Sequence, residues 1–155
     1  MAPWDPIPYP DADTTAALGG MTWAAIRLEA VAYRLAAILS RDSIDLAKRS
    51  VSDLKKDARK TLPGEPTQCE TAALEWLGHT ATALETRNYV LHSDLTTWFL
   101  DIDRDPTLTR SALVNRRFKK AHGVDVATFV KIAADFDAMY AAWPDIERGL
   151  LNSRI

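Results

Sequence analysis

The 155-residue sequence has one cysteine and no long hydrophobic run, and each of these scarcities excludes a class of protein. With Cys69 alone, no disulfide can form within the chain, and one thiol beside three histidines argues against a structural zinc site. No segment approaches the roughly 18 unbroken apolar residues of a membrane span. Residues 1–15 contain no Lys or Arg and no apolar core, unlike a secretory signal. We therefore expect a single-domain cytoplasmic protein without a membrane partner.

The net charge is small, but positive charge is concentrated in one segment. The net charge of −2 gives no general attraction to nucleic acid or membrane. Residues 104–122, however, carry six basic side chains against one acid, Asp105. This local excess indicates an anionic partner, and a solvated loop explains it equally well. The basic side chains are Arg104, Arg110, Arg116, Arg117, Lys119 and Lys120.

The first 20 residues differ in composition from the rest. They contain four prolines and end in Gly19-Gly20. Because proline fixes the backbone and removes a hydrogen-bond donor, residues 1–20 are predicted to form an extended arm. Residues 21–155 are then the domain.

Four amphipathic segments follow, and they predict an all-α fold. Thr67 and Glu70 match a capping box, in which each side chain accepts a hydrogen bond from the backbone of the other. Thr22 is a candidate N-cap for the first helix, and Pro144 is expected to end the last. We expect a four-to-five-helix up-down bundle. The predicted helices span residues 22–39, about 44–61, 67 to near 92–93, and about 125–143.

A small appendage is predicted before the last helix. Apolar and polar residues alternate after residue 95, which suits a strand, and DRDPT at 103–107 is a turn signal. Residues 112–118 are then a candidate second strand that closes a hairpin. A loop with one helical turn is the alternative.

The segment LETRNYVLHS, residues 84–93, carries the most chemistry. It places Arg87 five residues before His92 at the end of the predicted long helix. Asn88 follows the arginine, and a tryptophan, the basic stretch and one last amphipathic helix come after the histidine. In this context the sequence resembles stand-alone bacterial HEPN domains, whose motif is an arginine, four residues and a histidine.

The resemblance covers roughly residues 20–143 and depends on position more than on spacing. Arg117 and His122 have the same separation as Arg87 and His92, but they lie in the basic stretch and not on a predicted helix. The bare spacing is therefore a weak signal, and the helical context of the first pair carries the resemblance.

The resemblance implies a metal-independent endoribonuclease, a toxin or defence effector, that needs no cofactor and leaves 2′,3′-cyclic phosphate ends. Histidine, with an ordinary pKa of about 6.5, suits proton transfer to or from the ribose and the leaving oxygen. Arginine supplies a planar, permanently charged fork for phosphate oxygens. Arg87 and His92 are thus the expected catalytic pair and Asn88 a supporting residue. Arg116, Arg117, Lys119 and Lys120 are the expected RNA-binding residues.

The catalytic pair alone is a sparse site. Residues five apart on a helix point about 140° away from each other, so Arg87 and His92 do not share a face. The family combines two copies at one cleft, and we therefore expect a homodimer. Whether an antitoxin or a nucleotidyltransferase binds the protein is open. A HEPN module that binds RNA, nucleotide or protein without cutting, and a purely structural interaction protein, are the alternative functions.

Overall fold

The computed structural model describes residues 12–47, 49–91, 94–99, 109–115, 120–123 and 126–155, with the backbone alone for residues 88–91 and for the strands. Within these residues the chain forms four helices and one small sheet. The predicted helical bundle with an appendage before the last helix is confirmed. The elements are α1 (Ala12–Ser40), α2 (Val51–Thr61), α3 (Gln68–Leu91), β1 (Asp94–Phe99), β2 (Thr109–Asn115), β3 (Lys120–Gly123) and α4 (Val126–Asn152).

Helix α1 is the centre of the bundle and contacts each of the other three helices. Its apolar residues recur three and four apart, so one side of the helix from Met21 to Leu39 is buried. Phe129 and Phe136 of α4 and Leu77 of α3 complete the middle of the core, and each is no more than 2% exposed. Burial of this apolar surface supplies the main driving force for folding.

Ion pairs between the helices fix their relative directions. Arg87 near the end of α3 pairs with Glu29 of α1, whereas Glu70 at the start of α3 pairs with Arg154. Arg154 also donates to the carbonyl of Ile38 at the end of α1. Helix α3 therefore runs antiparallel to α1. Helix α4 runs parallel to α1, because Arg27 and Arg34 pair in the same order with Asp137 and Glu147.

The first helix begins ten residues earlier than predicted, at Ala12 instead of Thr22. The prediction of an extended arm is therefore wrong for residues 12–20, and residues 1–11 lie outside the described residues. Thr14 is buried and Leu18 packs against the core, so tertiary contacts outweigh the low helix propensity of Gly19-Gly20. Thr22 is not an N-cap, since its hydroxyl donates to the Leu18 carbonyl at 2.9 Å within the helix.

The second helix is shorter than predicted, and the third agrees with the prediction. Ser50 caps α2, because its hydroxyl accepts the Asp53 backbone N–H at 3.1 Å, and residues 44–47 precede the helix. The α3 capping box is confirmed. The Thr67 N–H donates to Glu70 Oε2 at 2.9 Å and the Glu70 N–H to Thr67 Oγ1 at 3.3 Å.

The last helix continues through Pro144 to Asn152, so the prediction that it ends at Trp143 is wrong. Proline keeps a helical φ and removes one backbone hydrogen bond, a loss that packing can outweigh. Here the turn after the proline contains Glu147, whose carboxylate accepts the Arg34 Nε–H at 2.7 Å. Leu150, one turn further, is fully buried.

The appendage is a three-stranded antiparallel sheet with the order β1-β2-β3. Asp94 pairs with Val114 and Phe99 with Thr109, so the predicted hairpin is confirmed, with its second strand three residues earlier than expected. The third strand was not predicted. It contains His122, whose Cα is in register with that of Leu113.

Candidate functional site

Arg87 lies in the last turns of α3 and is held by an acid from α1. Its guanidinium donates to Glu29 Oε2 at 2.7 Å. The Arg87 side chain is 15% exposed and that of Glu29 is 30% exposed. A guanidinium in this position is permanently charged and partly shielded from water, which strengthens its interaction with an anion.

Tyr33 lies one helical turn after Glu29 on α1 and connects α1 to the segment before α2. Its hydroxyl donates to the backbone carbonyl of Arg49. Burial, and then the negative charge of Glu29, raise the pKa of Tyr33, while the charge of Arg87 opposes them. Tyr33 is therefore a neutral phenol at neutral pH, and it acts as a hydrogen-bond donor to the loop before α2.

The remainder of the predicted catalytic motif lies at the end of α3. Asn88 is helical, and only its backbone is described. Helix α3 ends at Leu91, so the residue after the helix is His92, which lies outside the described residues. The structure thus brings Arg87 to the last turns of α3, where the sequence predicts it.

The predicted RNA-binding residues follow β2 in the sequence, and one of them, Lys120, is described by the structure. Lys120 begins β3, and its Cα is in register with that of Asn115. Arg116, Arg117 and Lys119 lie outside the described residues. Strand β2, which ends at Asn115 directly before Arg116 in the sequence, contacts α3. Of the second arginine–histidine pair, His122 lies in β3 and Arg117 lies outside the described residues.

Sequence reasoning missed Glu29 and Tyr33. A signal for Glu29 was present, because α1 carries only four charged residues over its 29 positions. A carboxylate on the half-buried side of such a helix needs a cationic partner. Glu85, the acid two residues before Arg87 in the sequence, is exposed, whereas Glu29 of another helix contacts Arg87.

Two further findings concern the described part of the chain alone. Among these residues no three His, Cys, Asp or Glu side chains lie close enough to hold a metal ion together. None of the helices there has the length and hydropathy needed to cross a membrane.

Comparisons with known proteins do not assign the chain to a family. No protein-family model, no curated protein and no solved structure matches it.

Proposed function

We propose that the protein is a metal-independent endoribonuclease of the HEPN type, with Arg87 and His92 as its catalytic pair. The observation that supports it most is the ion pair between Arg87 and Glu29, at 2.7 Å. It holds a cationic fork near the end of α3, about one helical turn before His92 in the sequence.

The proposed chemistry divides between the two side chains. The Arg87 guanidinium binds the scissile phosphate and stabilises the charge that builds on its oxygens. The imidazole of His92 takes the proton from the ribose 2′-OH or gives one to the leaving 5′ oxygen. The 2′ oxygen bonds to phosphorus while the bond to the 5′ oxygen breaks. The products are a 2′,3′-cyclic phosphate and a 5′-OH.

One chain supplies only one such pair, so the proposed enzyme acts as a homodimer whose two α3 ends share a cleft. RNA is the proposed substrate, bound in part by Arg116, Arg117, Lys119 and Lys120. The cell compartment we propose is the cytoplasm, where the protein serves as a toxin or defence effector. An antitoxin or a nucleotidyltransferase is the proposed class of controlling partner.

A cleavage assay in EDTA tests the proposal. Structured and single-stranded RNAs are incubated with the wild type and with His92→Ala, and we expect cutting by the wild type only. His79→Ala is the matched control, because His79 is an exposed histidine on α3, the helix that carries Arg87, and the variant should cut like the wild type. Equal cutting by wild type and His92→Ala would refute the assignment of His92.

The second candidate is a HEPN module that binds RNA, nucleotide or protein without cutting it. The same ion pair favours it in one respect, since Glu29 already neutralises part of the charge that Arg87 offers to a phosphate. RNA binding without product would support this candidate. Replacing Arg116, Arg117, Lys119 and Lys120 together should then weaken RNA binding and reduce its salt dependence.

A further inference from the structure

The outward side of the first half of α1 is apolar and uncharged. Residues 14–26 contain no Asp, Glu, Lys or Arg. Within this stretch Trp23 is 62% exposed and Ile26 is 47% exposed. Exposed tryptophan in a surface without charge is typical of the centre of a protein–protein interface.

This exposed surface forms a continuous stripe along the helix. Apart from the adjacent Gly19 and Gly20, its successive members are three or four residues apart, the spacing of one helical face. Gly19 and Gly20 lie in the middle of the stripe, and a Cβ at either position would meet nothing within 4 Å. The packing of the subunit therefore does not require glycine there, although glycine weakens a helix and permits close approach of another backbone. The stripe consists of Ala12, Ala16, Gly19, Gly20, Trp23, Ile26 and Ala30, all exposed.

We propose that a second copy of the chain covers this stripe, with the two α1 helices antiparallel and the two-fold axis at Gly20. The charges at the ends of the uncharged stretch support this partner. Asp13 precedes Gly20 by seven residues, and Arg27 follows it by seven. Fourteen residues along a helix return to within about 40° of the same direction, so both charges flank the stripe on one edge.

Antiparallel pairing about Gly20 therefore places Asp13 of each copy opposite Arg27 of the other. Asp13 is exposed, and Arg27 is kept at this edge by Asp137, at 3.9 Å, and by the ring of Tyr140, at 4.1 Å. A two-fold pair makes both contacts at once, because its interface is self-complementary. A parallel pair would set like charges against each other.

The same pairing brings the proposed catalytic ends of the two α3 helices towards each other. This step of the inference rests on the proposed function. Helix α3 runs antiparallel to α1 and packs on its Glu29 side, so the end of α3 points towards the level of Ile26 and Trp23. A two-fold axis perpendicular to α1 keeps that side of both copies on the same side of the dimer. The two α3 ends then lie near each other, as a shared cleft needs.

The oligomeric state of the full chain, measured by sedimentation equilibrium without RNA, tests the proposal. Ile26→Asp is compared with Leu151→Asp, since Ile26 is 47% exposed and Leu151 is 46% exposed but lies at the end of α4. We expect the wild type to be a dimer. Ile26→Asp should raise the dissociation constant of the dimer at least about tenfold, which corresponds to about 1.4 kcal/mol. Leu151→Asp should leave the dissociation constant unchanged. A monomeric wild type, or equal effects of the two variants, would overturn the proposal.

Cross-linking tests the position of the two-fold axis. In a Cys69→Ser background, Gly20→Cys should form a covalent dimer with a short bis-maleimide, and the exposed control Ala72→Cys on α3 should not. A wild-type monomer that dimerises only after removal of residues 1–11 would also overturn the proposal and assign the stripe to that segment. Sedimentation equilibrium measures the oligomeric state without RNA. A dimer that fails to cleave RNA would therefore contradict the proposed nuclease function but not the proposed interface.

Discussion

Arg87 and Glu29 join the end of α3 to the middle of α1 through an ion pair of 2.7 Å. The two residues are 58 positions apart in the sequence, so the contact exists only in the folded bundle. It fixes the direction of the one arginine that the sequence singles out for phosphate chemistry. Glu29 is therefore a positioning residue in the proposed enzyme, and its contribution can be measured with and without RNA.

The first prediction is that Glu29→Gln lowers the free energy of unfolding. The amide removes the negative charge beside a largely buried guanidinium, and a hydrogen bond to a charged group contributes about 1.5–3 kcal/mol. Urea denaturation measures the loss. Glu85→Gln, an exposed acid two residues before Arg87, should change stability by no more than about 0.5 kcal/mol. Equal effects of the two variants would mean that the ion pair is not stabilising.

The second prediction separates charge from geometry at Arg87. Arg87→Lys keeps a positive charge beside Glu29 but loses the planar fork that binds two phosphate oxygens. We expect RNA cleavage to fall at least about tenfold, or 1.4 kcal/mol in the barrier, while the unfolding free energy falls less than in Arg87→Ala. Steady-state kinetics and urea denaturation are the measurements. Full activity in the lysine variant would contradict a role for the fork.

The third prediction concerns acid sensitivity through Glu70. The hydrogen bond from the Thr67 backbone N–H, helped by Arg154, holds the pKa of Glu70 below its ordinary value of 4.5. A lowered pKa stabilises the fold above pH 4.5, and this contribution is lost as the pH falls through the lower, folded-state pKa. Glu70→Gln should thus be less stable than wild type by about 1 kcal/mol at pH 7, with the difference shrinking at pH 3. Unfolding free energies at both pH values measure this, and a constant difference would contradict it.

The fourth prediction concerns Pro144 inside α4. Because Pro144 is exposed and lacks a backbone N–H, Pro144→Ala restores a helical hydrogen bond. The variant should be more stable by roughly 1–3 kcal/mol, measured by thermal and urea denaturation. A loss of stability would instead show that the proline geometry is needed to bring Glu147 to Arg34.

Local signals in the sequence predicted the middle of the fold better than its ends. The periodic apolar residues predicted the bundle, and Thr67 with Glu70 predicted the start of α3, because a capping box acts over three residues. The predictions of the start of α1 and the end of α4 were wrong, because contacts distant in the sequence decide where these helices begin and end. Gly19-Gly20 and Pro144 disfavour a helix locally, and distant contacts of Thr14 and Leu150 outweigh them.

In the candidate site, too, residues that are close in the sequence were predicted and residues from a distant helix were not. The sequence singled out Arg87, His92 and Asn88, which lie within six consecutive residues of one segment. Glu29 and Tyr33 belong to another helix, and only the packing of α3 against α1 brings Arg87 to them. Their residue types and positions were visible in the sequence, whereas the packing that brings Arg87 to their side of α1 was not.

The chemical identity of the RNA ends produced in EDTA tests the central claim most directly. RNA is incubated with wild type, Arg87→Ala and His92→Ala, and the fragments are analysed by mass spectrometry. The account predicts 2′,3′-cyclic phosphate and 5′-OH ends from the wild type alone. Fragments with 3′-OH and 5′-phosphate ends, or unchanged cutting by either variant, would contradict it.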